Sequence, residues 1–558
     1  MGSFGRMSLV ITILVLLLVV ALSGAVVRVL PIRLPLPLIQ IALGALLARP
    51  IGMHVEFDHE LFFLLFIPPL LFADGWRIPK RELFLLRGPI LALAIGLVFF
   101  TIVGVGYFVH WMIPTVPLAV AFALAAVLSP TDAVAVSSIS GDSPIPPRLM
   151  HILSGEALLN DASGLVALQF AVAAEMTGQF SLVKAGTDFV VMALGGLAAG
   201  VFVSYAFGIF RRRLVRWSGE VDPAAQVALL LLLPFAAYLL AEHFGASGIL
   251  AAVAAGMTMN YTDVLKGGYV ATRMQNIAVW SMVEFVFNGM IFLLLGLQLP
   301  DILDGAKVDI RQAGGGPLWH LAAYVLAITL ALVVLRFIWV WVSLRFVLLR
   351  ARHRGEARPK VGTRLMWTTA LAGVRGSITM AGVLSLPLMK SENVPFPVRD
   401  LMIFLATGVI LCTLVFGAVG LPAAVKGLKI PGEDPRVREE RKARALAAEA
   451  ALQSIADEQK HVEDAGDENA MALSSRVATR VRADYQQRLE AAGEEGDVPQ
   501  KARAEAGTER VMRLAALRAE RRELYSLRRK HEINDETLRS LIRELDLAEA
   551  SLTSLNSG

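Results

Sequence analysis

One cysteine, Cys412, is the whole thiol content of this 558-residue chain. A lone thiol excludes an intramolecular disulfide framework and any cysteine-built metal cluster. Charge is scarce as well. Asp, Glu, Lys and Arg make up 18% of the residues, below the roughly 25% of ordinary soluble domains. Against that scarcity, 55% of the residues are hydrophobic and the mean hydropathy is +0.59. The balance excludes an ordinary soluble domain and indicates a protein that crosses a bilayer many times.

The few charges are unevenly placed. Residues 431–558 hold 22 Lys/Arg and 26 Asp/Glu, net −4, whereas residues 1–430 hold 31 and 22, net +9. The chain therefore reads as a transmembrane domain over residues 1–425 and a charged cytoplasmic helical tail over 426–558. A pI near 9.3 could suggest nucleic acid. The excess basic residues instead flank apolar runs, where they set membrane topology, so the bilayer is the expected partner and nucleic acid is not.

About 20 apolar residues suffice for a helix to cross the ~30 Å hydrocarbon layer. Thirteen such runs are predicted, numbered here spans 1–13: 7–27, 34–50, 60–76, 88–112, 116–140, 149–176, 184–210, 224–242, 245–262, 274–299, 318–347, 363–389 and 399–425. Span 1 carries the small-x-small triplet Ala21-Leu22-Ser23 of a possible signal peptide, but its apolar run exceeds the usual 7–15 residues of one. Loops after odd-numbered spans 1–11 carry 20 basic residues, including Arg211, Arg212 and Arg213, Lys266, and Arg354, Arg358 and Lys360. The N-terminus and the loops after even-numbered spans carry 7. Because cytoplasmic loops are enriched in Lys and Arg, the N-terminus is expected outside and the tail in the cytoplasm.

Two spans are poor continuous helices. Span 5 contains Leu128-Ser129-Pro130-Thr131-Asp132, and span 12 contains Ala372-Gly373-Val374-Arg375-Gly376-Ser377. Non-helical backbone at membrane depth survives only where protein or a water-filled cavity satisfies its polar groups. Spans 5 and 12 lie an odd number apart and so run in opposite directions. Interrupted spans at corresponding places in inverted repeats point to a transport site.

Ionisable groups inside spans are costly and mark function or its paired scaffold. Five stand out, Asp132, Glu156, Asp161, Arg336 and Arg375, with Glu284 a less central sixth. On the helix of span 6, Glu156 and Asn160 share a face, while Asp161 lies about 140° away from Glu156. Asp161 shares its own face with Ala157 and Gly164, small residues that permit close approach of another backbone. Arg336 cannot shed its proton and needs a counter-ion, for which Glu156 is the candidate. That pairing leaves Asp161 without a fixed cation. A carboxylate withdrawn from water with no such partner can hold a proton or trade it for a small cation, the minimal chemistry of an antiporter. Thr131, Asp132 and carbonyls freed by the break could complete an oxygen shell suited to a hard ion such as Na⁺. Asp132 also reads as a cap on the second half of span 5, where negative charge meets a helix N-terminus. Arg375 reads as a stabiliser of the carbonyl ends.

At these residues the chain resembles the first branch of the monovalent cation/proton antiporters, which includes bacterial sodium/proton antiporters and animal sodium/proton exchangers. The matching elements occur in family order: Pro68-Pro69-Leu70-Leu71-Phe72, Ser129-Pro130-Thr131-Asp132, Gly155-Glu156 with Asn160-Asp161, Ile291-Phe292-Leu293-Leu294-Leu295-Gly296, Arg336, and Arg375-Gly376. The resemblance implies an all-α polytopic membrane protein of about thirteen transmembrane helices with crossed broken helices. It implies core and dimerisation domains, elevator-like movement of the core, and a homodimer in the plasma membrane that serves sodium transport and pH homeostasis. It implies Asp161 as the carrier carboxylate, Thr131 and Asp132 in the Na⁺ site, and a Glu156–Arg336 pair. The Asn160-Asp161 pair resembles the electroneutral branch, one proton per cation. Some relatives have serine at the position of Ala157, which weakens the assignment of Na⁺ over K⁺ or Li⁺. No resident cofactor and no enzymatic activity are expected. A K⁺/H⁺ antiporter, a cation channel or sensor, and a sodium-coupled symporter of organic anions are the alternatives, since one fold serves several functions.

The tail is rich in Ala, Glu, Arg and Leu. A linker is predicted at residues 493–499 and a helix start at Asn534-Asp535, ahead of Leu538, Leu541 and Leu545 at helical spacing. It reads as a solvated helical appendage, with a regulatory domain as the alternative.

Overall fold

A computed structural model describes the chain except residues 1–2, 30–33, 52–58, 141–144, 179–181, 219–221, 260–269, 313–318, 354–361, 388, 392–393, 427–434, 465–467, 494–496, 531, 533–534 and 554–558. Of the residues cited above for topology, Lys266, Arg354, Arg358 and Lys360 lie outside the described residues, as do Asn534 and part of the predicted linker. The chain divides into two compact units, Met1–Lys429 and Ile430–Gly558.

In the first unit each of the thirteen apolar runs lies on helix. Spans 1–4 are Ser3–Val29, Leu36–Ile51, His59–Arg77, and Arg87–Leu91 continuing to Val98–Met112. A π-helical stretch, Ala92–Leu97, interrupts span 4. Span 6 is one unbroken helix, Pro147–Thr177, and spans 7–11 are Leu182–Ser218, Pro223–His243, Gly248–Met259, Val270–Gln312 and Trp319–His353. Span 13 is Arg399–Val425. Among the described residues, eight of these helices are long and apolar enough to cross a membrane unaided. Spans 7 and 10 run well past their predicted ends at 210 and 299. Helical hydrogen bonds do not stop where the apolar run stops; in span 10 the helix continues through Pro300.

Spans 5 and 12 break where the sequence predicts. Span 5 is Leu118–Leu128 (5a) and Ala133–Ser140 (5b), bent by 48°. Span 12 is Thr363–Leu371 (12a) and Ser377–Leu384 (12b). Pro130 has no N–H to continue the ladder of 5a. The two breaks meet: the backbone N–H of Asp132 donates to the carbonyl of Val374 at 2.8 Å. Gly376 is required at this meeting, because a methyl group there would collide with the Asp132 carboxylate.

Helices elsewhere approach through small residues, as expected where packing rather than water exclusion drives association. Spans 2 and 10 meet at Gly44 and Gly296, and spans 3 and 9 at Gly75 and Gly256, each glycine lying against the facing backbone. A side chain at Gly164 of span 6 would meet the Pro130 ring at 2.6 Å and the Ala126 carbonyl at 2.9 Å. This contact sets the Asp161 face of span 6 against the break in span 5. Span 1 and span 7 leave most of their apolar surface uncovered.

Among its described residues the second unit holds four helices, Pro435–Asp464, Glu468–Ala491, Asp497–Arg529 and Asp535–Thr553. Most of its described surface is solvated. Leu538 and Leu545 are its buried leucines, and Arg521 bridges Asp546 and Glu549, each at 2.6 Å.

Candidate functional site

Span 6 sends its two carboxylates to different neighbours, as its geometry predicts. Glu156, 1% exposed, faces Arg336 of span 11, 2% exposed. Arg336 Nη2 donates to Glu156 Oε2 at 2.8 Å, and Nη1 pairs with Oε1. The remaining Nε–H donates to the carbonyl of Thr369 at 2.8 Å. That carbonyl lies in the last turn of 12a, where helix carbonyls lose their intrahelical partners. One guanidinium thus ties spans 6, 11 and 12 together.

Thr131, in the break of span 5, accepts a hydrogen bond from Asn160 Nδ2 at 3.0 Å and donates to Glu156 Oε1 at 3.4 Å. Asn160 therefore turns its amide toward Thr131, and its Oδ1 is buried with no hydrogen-bond partner. Asp132 caps 5b: its Oδ1 accepts the N–H groups of Val134 at 2.8 Å and Ala135 at 2.9 Å. Arg375 donates from Nε to the carbonyl of Leu128, the last residue of 5a, at 2.9 Å, and from Nη1 to the carbonyl of Gly373. The Leu128 and Val374 carbonyls are thus each satisfied from the other broken span.

Asp161 is 6% exposed and, among the described residues, no hydrogen-bond donor or cation pairs with its carboxylate. It lines a cavity of about 270 Å³ together with Thr131, Asp132 and Ala157. The structure adds groups that the sequence reading passed over. Asp74 of span 3 brings a third carboxylate, and Asn288 of span 10, Ser377 and Thr379 of 12b bring neutral oxygens. Glu284 also lines the cavity and pairs with Arg77, whose Nη2 donates to Ser281 Oγ at 3.3 Å. Ser377 Oγ donates to Asn288 Oδ1 at 3.1 Å. Asp74 was legible as a charge in an apolar run, but three residues before Arg77 it looks like the polar end of a span. Asn288, Ser377 and Thr379 carry no charge and escape a search for intramembrane ions. Carboxylate, hydroxyl and amide oxygens predominate among the polar groups of the lining, the donor set that suits hard monovalent cations.

A many-helix fold with two broken spans meeting beside a polar cavity is the architecture of an ion-coupled membrane carrier. A family profile described as "Sodium/hydrogen exchanger, transmembrane" matches residues 14–427. The chain is 47% identical over 553 residues to the uncharacterized Na(+)/H(+) exchanger YjcE of Escherichia coli (strain K12), covering 99% of this chain and 100% of that one. It is 45% identical over 424 residues to the sodium, potassium, lithium and rubidium/H(+) antiporter of Bacillus subtilis (strain 168), covering 75% of this chain and 61% of that protein. The fold matches the sodium proton antiporter MjNhaP1 from Methanocaldococcus jannaschii at pH 8 with a TM-score of 0.57 and 16% identity, over 75% of this chain and 99% of that one. The chain belongs to the sodium/hydrogen exchanger family. It is a multi-pass membrane antiporter that exchanges sodium for protons.

Proposed function

We propose that exchange runs through Asp161, by competition of one proton and one alkali cation for the same carboxylate. The observation that carries this reading is the contrast within span 6. Glu156 is neutralised by a buried arginine, whereas Asp161 has no fixed cation and lines the cavity. Asp132, with one oxygen committed to capping 5b, and Thr131 contribute oxygen donors from the break. Asn160 adds no second titrating charge on span 6 beside Asp161, which supports an electroneutral cycle of one cation for one proton.

The cavity lining includes Arg77, Ile78 and Pro79, at the end of span 3 that the basic-loop pattern assigns to the cytoplasm. The conformation is therefore read as inward-facing, with the N-terminus outside and the tail inside, in the plasma membrane. Spans 1 and 7 offer uncovered apolar surface to lipid or to a second copy, which supports a homodimer. The relative named for sodium, potassium, lithium and rubidium supports acceptance of several alkali cations. Proton and cation are cargo here, and the cycle needs no resident cofactor.

The test is proton movement in everted vesicles preloaded with a pH gradient. Adding Na⁺, Li⁺ or K⁺ collapses the gradient, and Asp161→Asn abolishes the collapse. A channel or a sensor gives no cation-driven proton flux, and a symporter gives none without its organic anion. Full exchange by Asp161→Asn would overturn the assignment of the site.

A further inference from the structure

We propose that Thr379 supplies a hydroxyl ligand to the transported cation, from the wall of the cavity opposite span 6. The inference rests on the reading of Asp161 as carrier and adds a residue to it.

Three observations converge. The first is burial without satisfaction. Thr379 is 2% exposed, and its Oγ1 is buried with no hydrogen-bond partner. Helical threonines in this chain characteristically donate to the carbonyl four residues back, as Thr258 does to Ala254, Thr329 to Val325, and Thr369 to Leu365. For Thr379 that carbonyl belongs to Arg375, which lies in the unwound segment before 12b and is not in helical position. An unsatisfied buried hydroxyl costs about 1–3 kcal/mol, and valine would fill the same volume without that cost. Thr272 and Thr407 share this condition, but of the three only Thr379 lines the cavity.

The second observation is direction. On 12b, Thr379 and Gly382 are spaced three apart and share one face, and Gly376 is the residue just before its first turn. Gly376 lies against the Asp132 carboxylate. A side chain at Gly382 would meet Leu165 of span 6 at 3.0 Å and Val127 of 5a at 3.5 Å. Thr379 sits between these contacts. Spans 6 and 12 are both even-numbered and run in the same direction. One turn back from Gly382 along 12b therefore lies beside one turn back from Leu165 along span 6, which is Asp161. Thr379 therefore lies on the part of 12b that faces spans 5 and 6, where Asp132 and Asp161 line the same cavity.

The third observation is the cavity, which Thr379 lines together with both carboxylates. The Thr131 hydroxyl is engaged with Asn160 and Glu156 and that of Ser377 with Asn288, while Ser154 of span 6 lines the cavity as a second free hydroxyl. On span 6 the neighbouring lining residues Ala157 and Leu158 offer no side-chain oxygen. A dehydrated alkali cation at Asp161 finds in Thr379 an uncommitted neutral donor.

The experiment measures the cation concentration for half-maximal exchange in everted vesicles, for Na⁺ and for Tl⁺, with Thr379→Val, Thr379→Ser, Thr379→Cys and Asp161→Asn in parallel. Thr379→Val is expected to raise the Na⁺ value about fivefold, the size of one neutral contact of ~1 kcal/mol, while leaving the maximal rate within twofold. Thr379→Ser keeps the parental value. Thr379→Cys replaces a hard oxygen with a soft sulfur, so it weakens Na⁺ and spares Tl⁺, a shift that a packing role does not produce. If Thr379→Val fails to accumulate, the serine and cysteine variants carry the test. Unchanged Na⁺ values in the valine and cysteine variants, with Asp161→Asn inactive, overturn this inference alone. Exchange retained by Asp161→Asn overturns the carrier reading and this inference with it.

Discussion

Neutralising the two carboxylates of span 6 should have opposite effects on stability. In Glu156→Gln, Arg336 remains charged because a guanidinium does not release its proton, and it stays in a site where it is 2% exposed. Breaking a buried pair by removing one partner costs about 3–5 kcal/mol. Arg336 keeps its bond to the Thr369 carbonyl, and the glutamine amide retains one acceptor oxygen, so the expected loss lies at the lower end, about 3 kcal/mol. Asp161→Asn removes a charge that was held out of water with no cation beside it. The desolvation it carried disappears, and stability is unchanged or rises by about 1 kcal/mol. The assay is thermal unfolding of each purified variant in one detergent, followed as loss of the monodisperse fraction on heating. Glu156→Gln melts well below the parent, and Asp161→Asn melts at or above it. Combining Glu156→Gln with Arg336→Gln should recover part of the loss, through a coupling of about 1–3 kcal/mol. If both single variants melt together, or if Asp161→Asn is the less stable, the division of span 6 into a scaffold carboxylate and a working one is wrong.

Three further outcomes follow from the same geometry. Gly376→Ala places a methyl group in the Asp132 carboxylate's space and should abolish exchange, or accumulation in the membrane, where Gly382→Ala, facing side chains alone, is milder; the check is membrane abundance beside vesicle exchange. Asp132→Asn keeps an acceptor for the Val134 and Ala135 N–H groups and should melt near the parent, whereas Asp132→Ala loses the cap at about 1 kcal/mol; equal melting of the two variants would contradict the capping role. Asp74→Asn removes one of the cavity's carboxylates and should raise the half-saturating Na⁺ concentration severalfold with little change in maximal rate. Na⁺ titrations at low and high ionic strength check this, because an attraction acting at a distance is screened by salt.

What was legible in the sequence, and what was not, follows from how far each signal reaches along the chain. Apolar runs and their basic flanks are local, so the helices fell where they were expected. Pro130 and the Gly373–Gly376 segment disrupt the helical ladder chemically, so both breaks were visible too. The pairing of Glu156 with Arg336, 180 residues apart, was accessible because an arginine inside a bilayer must have a counter-ion. Asp74 was lost through its nearness to Arg77, where an acidic residue resembles the wet end of a span. Asn288 and Thr379 were lost for another reason: an uncharged polar side chain in a span is inexpensive enough to need no explanation until its neighbours are known. Those neighbours come from spans 3, 5, 6, 10 and 12, a convergence that no periodicity within one helix encodes.

The hydrogen bond from Asp132 N to Val374 O joins the two breaks peptide to peptide, and Arg375 returns the favour to Leu128. Restoring a helix-forming residue at position 130 would therefore not heal span 5. It would withdraw the donor that Val374 depends on and strand a carbonyl inside the membrane. Straightening span 12 alone would do the same to Leu128. The two interruptions therefore act as one unit, and a designer who wishes to transplant one must carry its counterpart along.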